Sequence, residues 1–165
     1  MPHTPDRRAR LLEDLSWQAR RLQVFEGLLN RGIAARLGIN VTDLEVLGIL
    51  AVVGPVSLAR LAELTGLASG TVTLVADRLE RDGFAHRAPD PSDRRKLLLE
   101  PEPERMREAG RFYDPLENAT KDILEGYSDD EVELFSRAIT RLVDAFHETS
   151  QVVRASDPAG KENPE

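Results

Sequence analysis

The sequence predicts a mainly α-helical fold with one small β-hairpin, and three observations carry that prediction. Apolar residues recur at helical spacings of three and four over most of the 165 residues. Two short helical stretches, SLARLAELTG and LASGTVTLVADRLERDG, follow one another across a turn containing Thr65 and Gly66, which is helix-turn-helix spacing. Directly after them, FAHRA and KLLLE are strand-length runs on either side of the polar segment Pro89–Arg95, a hairpin pattern. Together these make a winged helix-turn-helix set between long N- and C-terminal helices.

Taken in order, residues 7–36 read as one long helix. Leu11, Leu15, Leu22, Phe25 and Leu29 form a stripe that Leu12, Leu28 and Ile33 broaden. Gly38 and Asn40 break the pattern. Thr42, with Glu45 three residues on, has capping-box spacing for the next helix, TDLEVLGILAVV. That helix is apolar on most faces, so burial from several sides is expected, and Gly54-Pro55 closes it. Ser57 caps the first helix of the helix-turn-helix, whose inner face is Leu58, Leu61, Ala62 and Leu64. The second presents Val72, Val75, Ala76 and Leu79 and ends at Asp82-Gly83.

Beyond the hairpin, residues 103–126 read as a single helix kinked at Asp114-Pro115, because proline disrupts a helix interior. Ser128 and Glu131 have capping-box spacing. Val132, Phe135, Ile139, Leu142 and Phe146 then alternate steps of three and four, a narrow seam. The expected organisation is a dimerisation helix at 1–36, the winged helix at 37–101, further dimerisation helices at 102–152 and a disordered tail at 153–165.

Composition narrows the function. A 41% hydrophobic content supports a core, and 31% charged residues predict solubility. There is no cysteine, so disulfides and thiolate metal sites are excluded. The polar N-terminus lacks a signal-like apolar region, and the apolar run Leu47–Val53 is far short of the roughly 20 residues a membrane span needs. The expectation is a cytoplasmic protein with no membrane partner. The net charge is −7, but residues 1–99 hold 14 Lys and Arg against 12 Asp and Glu, a balance of +2. Residues 100–165 hold 8 against 17, a balance of −9. The first part is thus compatible with a polyanion.

Two groups of residues point to nucleic acid. Ser69, Gly70, Thr71 and Thr73 open the second helix of the helix-turn-helix, and Arg78 lies further along it. Hydroxyls and helix-terminal N–H groups suit base edges and phosphates, although ordinary helix capping uses the same residue types. The hairpin tip carries Asp93, Arg94, Arg95 and Lys96. A guanidinium there suits a minor groove or a phosphate; the ordinary alternative is a solvated turn that discourages edge aggregation.

No catalytic constellation is visible. His3, His86 and His147 are far apart, and there is no metal-ligand spacing, glycine-rich phosphate loop or nucleophile elbow. The expectation is no enzyme activity, no cofactor and no metal, with His86 a structural residue or a phosphate contact. Asp129-Asp130 fits a helix N-terminus. Trp17 reads as core or interface.

The stretch VSLARLAELTGLASGTVTLVADRLERDGFAHRAPDPSDRRKLLL resembles the multiple antibiotic resistance regulator (MarR) family of bacterial transcription factors, and the resemblance extends over roughly residues 10–150. It implies a recognition helix in TVTLVADRLERDG and a wing in DPSDRRKLLLEP. Arg95 then matches the wing arginine that enters the minor groove, Asp93 its organising carboxylate, and Ser69, Thr71 and Thr73 residues that read bases or phosphates. The chain departs from the family pattern at Pro101-Glu102, where Leu-Thr is frequent, and at Gly70 and Leu74, where relatives are often polar or basic.

The resemblance implies a homodimer. The stripe with Leu11, Leu15 and Leu22 and the seam Val132, Phe135, Ile139, Leu142 and Phe146 are the expected dimer surfaces; packing on each other within one chain is the alternative. It also implies a small aromatic or anionic effector in a cleft beside the dimer layer, without specifying its residues. The expected function is a sequence-specific double-stranded DNA-binding regulator of repressor type. A winged helix serving only as a protein-interaction module is the competing reading.

Overall fold

The computed structural model describes residues 6–155. Its elements are α1 (Arg7–Leu37), α2 (Val41–Val53), β1 (Val56–Ser57), α3 (Leu58–Thr65), α4 (Ser69–Arg81), β2 (Ala85–Pro89), β3 (Leu97–Pro101), α5 (Pro103–Gly110), α6 (Asp114–Leu124) and α7 (Asp129–Ala155). The chain divides into two units, one up to Phe112 and one from Tyr113.

In the first unit, the apolar faces read from the sequence converge. Val46, Leu47 and Leu50 of α2, Leu61 of α3, and Val72, Val75, Ala76 and Leu79 of α4 form one buried cluster with Phe84, Ala85 and Leu99 of the hairpin. Every member of that set is aliphatic or aromatic, so each removes apolar surface from water without stranding a polar group. The turn between α3 and α4 depends on Gly66, which caps α3 at φ 72°, a left-handed conformation that a Cβ disfavours. Gly83, at φ 71°, turns the chain from α4 into the hairpin.

The sheet has three antiparallel strands in the order β1-β3-β2. Pro89 pairs with Leu97 and Ala85 with Pro101, while Val56 pairs with Leu99 on the other side of β3. Strand β1 was not foreseen. At two residues it is too short to show alternation, and Ser57 also meets its expected role, accepting the Arg60 N–H at 3.2 Å as the α3 cap.

Three features differ from the sequence reading. The cap of α2 is Asn40, whose side-chain oxygen accepts the Asp43 N–H at 2.9 Å; Thr42 instead lies in the first turn. The far end of α2 is not enclosed, and Val52 is 86% exposed. The expected single helix over 103–126 is two helices, because α5 stops at Gly110 and α6 restarts at Asp114. Pro115 falls within the first turn of α6, where a missing N–H costs no intrahelical bond.

Helix α1 buries only Ile33 and Ala34, near its C-terminus. Leu11, Leu15, Leu22 and Phe25 are exposed. In the second unit, none of the described side chains is buried. Ser128 and Glu131 form the expected box at the start of α7: the Ser128 N–H and hydroxyl donate to the Glu131 carboxylate, and Ser128 Oγ accepts the Glu131 N–H. Helix α7 continues to Ala155, so residues 153–155, assigned to the tail, are helical; the rest of that tail lies outside the described residues.

Candidate nucleic-acid interface

The wing tip is a folded turn. The Asp90 carboxylate accepts from the Ser92 N–H and hydroxyl, both at 2.7 Å. The Asp93 carboxylate accepts the Arg95 N–H at 3.2 Å and Arg95 Nε at 3.3 Å. These are two successive Asx turns, in which a side chain substitutes for a backbone acceptor. Backbone bonds from Asp90 N–H to the Lys96 carbonyl and from Lys96 N–H to the Asp93 carbonyl close the loop at 2.9 and 2.8 Å. Asp90-Pro91 is a turn-forming pair in the sequence, and the two-residue offset from Asp90 to Ser92 is the signal for the carboxylate's part in the turn.

Asp93 thus stands against Arg95, as anticipated, and Lys96 Nζ is 3.9 Å from its other oxygen. The Arg95 side chain nevertheless remains 92% exposed. Arg94 and Lys96 are exposed as well. A cleft of about 650 Å³ lies beside the tip, lined by Arg95, Lys96, Leu97, Leu98, Ser57 and Leu58 among others.

The hairpin is fastened to α4. Arg87 of β2 donates through its backbone N–H to Glu80 at 2.8 Å and through its guanidinium to Asp77 at 2.8 Å, and it also pairs with the Glu80 carboxylate. One planar fork therefore spans two acceptors one helical turn apart. Arg105 of α5 lies over the ring of Phe84 at the hairpin root, 4.0 Å from its centre. None of these contacts was anticipated, because each joins residues whose proximity depends on the fold.

On α4, Ser69, Gly70, Thr71 and Thr73 are exposed. The Thr73 hydroxyl donates to the Ser69 carbonyl at 3.0 Å, so it enters any further contact as an acceptor. Arg78 does not stand with this group. It faces α2, with Nε 3.0 Å and a terminal nitrogen 2.5 Å from the Asp43 carboxylate. Asp43 is the only buried charged residue described, at 1% exposure. The Arg78 pKa is raised first by its hydrogen bond to Asp43, against some desolvation. The structure thus gives Arg78, expected to contact DNA, the geometry of a strut between α2 and α4.

Of the two readings of His86, structural residue or phosphate contact, its contacts favour the first. Its Nδ1 is 2.7 Å from Glu102 and its Nε2 3.6 Å from Glu100, surroundings that repel a phosphate. Among the described residues, no group of three or more His, Cys, Asp or Glu is arranged to hold a metal, and no helix is long and apolar enough to cross a membrane. Trp17 is exposed on α1.

A helix-turn-helix followed by a hairpin with a cationic tip defines the winged-helix class. The MarR family model matches residues 39–97. The chain is 33% identical over 129 residues to an uncharacterized HTH-type transcriptional regulator, YcgE, of Bacillus subtilis (strain 168), covering 78% of this chain and 84% of that protein. It therefore belongs to the MarR family, a family of transcriptional regulators and not of enzymes. The fold agrees. A MarR family protein from Bacillus stearothermophilus superposes with a TM-score of 0.64 at 22% identity, over 84% of this chain and 96% of the other. A MepR mutant from a multidrug resistant S. aureus clinical isolate gives 0.68 at 16% identity, over 80% and 96%.

Proposed function

We propose that the protein is a cytoplasmic, sequence-specific double-stranded DNA-binding transcriptional repressor that acts as a homodimer on a pseudo-palindromic operator. Two α4 helices enter successive major grooves about one helical turn apart. Ser69, Gly70, Thr71 and Thr73 lie at that contact, while Arg94, Arg95 and Lys96 of each wing reach the flanking minor groove and phosphates, with Asp93 presenting Arg95. Arg78 acts indirectly, by holding α4. The observation that carries this reading is the wing tip: two Asx turns rigidify a loop whose arginine stays 92% exposed. A guanidinium already held outward by its loop loses less freedom when it meets an anionic partner, which lowers the cost of binding.

The dimer surface in this reading is built from Leu11, Leu15 and Leu22 of α1 and from Val132, Phe135, Ile139, Leu142 and Phe146 of α7. Release is by a small aromatic or anionic effector. Such a ligand acts by preferring a dimer whose α4 helices have the wrong spacing, and it shifts the equilibrium only by its differential affinity.

The test is selection of bound fragments from genomic DNA, followed by titration of the selected duplex at several salt concentrations. Log affinity is expected to fall with log salt by about 0.9 for each phosphate neutralised. Arg95→Ala is expected to weaken binding by about 1–3 kcal/mol. An unchanged affinity for Arg95→Ala removes the wing from the interface. A flat salt dependence favours the protein-interaction module, a role that the acidic balance of residues 100–165 would suit.

A further inference from the structure

The outer face of α4 is less polar than its opening residues suggest. Val72, Val75, Ala76 and Leu79 are buried and define the inner face. At about 100° per residue, the opposite line runs through Gly70, Leu74 and Arg81, with Asp77 beside it. Thr71 and Thr73 lie on its flanks. Leu74, near the centre of the outer face, is 60% exposed.

Gly70 sits one turn before Leu74. A Cβ built there would meet no atom within 4 Å, and its φ is not positive. Neither packing nor backbone conformation calls for glycine, and glycine weakens a helix relative to alanine. What its bare backbone supplies is clearance beside an isobutyl group that carries neither donor nor acceptor.

A single exposed leucine is ordinary on a protein surface. Its setting is what gives it meaning: it crowns the helix to which Arg87 fastens the cationic wing. In the major groove, the apolar feature of the base edges is the C5-methyl of thymine. Facing a guanine or a cytosine, leucine would cover O6 or the N4 amino group without a partner, which is costly. We propose that Leu74 is a specificity-determining residue that reads a thymine C5-methyl group, with Gly70 providing the room for the base edge to approach. The inference rests on the DNA-binding reading above.

The experiment uses the full chain and the duplex selected from genomic DNA. Each thymine is replaced in turn by deoxyuridine, which removes only the methyl group. One position in each half-site is expected to lose roughly four- to tenfold in affinity. Leu74→Ala is expected to bind the thymine and deoxyuridine duplexes equally, and Leu74→Met, which keeps an apolar tip, to retain the difference. Because Leu74 is exposed, both variants should keep the wild-type unfolding midpoint. Cytosine at the sensitive position should weaken binding, and 5-methylcytosine should recover part of the loss. Insensitivity to deoxyuridine at every position overturns the inference alone, as does a penalty that persists in Leu74→Ala. Failure to select any duplex overturns the DNA-binding reading and this inference together.

Discussion

Asp90 and Asp93 show how two carboxylates convert a run of like charges into a shaped surface. Asp90 has its pKa lowered, chiefly by the hydroxyl and then the N–H of Ser92. Its folded value lies below the unfolded one, so its contribution is complete above the unfolded pKa and is lost as pH falls through the folded value. The turn should therefore loosen in acid, below the usual carboxylate range. The Ser92 amide, followed by NMR through a pH titration, should lose its hydrogen-bonded shift and its exchange protection there; a pH-independent amide would contradict this. In Asp90→Asn the acid-dependent step should disappear.

Arg78 carries the opposite lesson at the same scale. A cation on a recognition helix reads as a DNA contact when only its neighbours in sequence are known. Its partner Asp43 is 35 residues away, and no local pattern announces that pairing. Removing one member of a buried pair leaves the other charge without compensation. Asp43→Ala is expected to cost about 2–4 kcal/mol, below the full range for buried pairs because the Arg78 side chain keeps some access to solvent. A urea midpoint that does not move would show the strut to be unimportant. Leu74 was noticed in the sequence as a departure from relatives, yet its place at the centre of the outer face follows only once the buried positions are known.

At the scale of elements, what was legible is what periodicity encodes. The long N-terminal helix, both helices of the helix-turn-helix, the hairpin and the Ser128 capping box all depend on local spacing, and all formed. What was not legible depends on contacts between elements. Strand β1 exists because Val56 and Ser57 meet β3. Asn40, not Thr42, caps α2 because the chain enters the helix two residues earlier than the strongest local motif suggests.

The Arg87 clamp is the element-scale feature with the clearest consequence. Its side chain is 23% exposed, and its fork spans Asp77 and Glu80 of α4. Arg87→Lys keeps the charge but cannot reproduce two directed bonds. It should lose about 1–3 kcal/mol, the scale of hydrogen bonds to charged groups. Amide exchange should rise in β2 and β3 but not in α3, since Leu61 and the core beneath it are untouched. Uniform acceleration across the unit would instead mean that the clamp holds the whole core. A double-mutant cycle with Arg95→Ala gives a second readout: if the clamp aims the wing, Arg95→Ala should cost less in the Arg87→Lys background than in wild type.

At the scale of the whole molecule, the structure leaves an unsatisfied account of apolar surface. Leu11, Leu15, Leu22 and Phe25 of α1 are each more than half exposed, and so are Phe135 and Phe146 of α7. Large apolar side chains left exposed at helical spacing along a helix are more than a monomer needs to show to water, and a second copy of the chain offers the same stripe on α1 and the same seam on α7, which suits a twofold interface. Sedimentation at micromolar concentration should give twice the 18.4 kDa chain mass. Leu15→Glu combined with Ile139→Glu should yield a folded but monomeric winged helix, because neither residue belongs to the core beneath the wing. That monomer should hold operator DNA at least about a hundredfold more weakly, since the second half-site then no longer benefits from the effective concentration set by the first. It should also lose the concentration dependence of the melting temperature that an associating protein shows. A wild-type chain that sediments as a monomer, or a monomeric variant that keeps full operator affinity, would remove the twofold arrangement from the proposed mechanism while leaving each winged helix able to bind a single half-site.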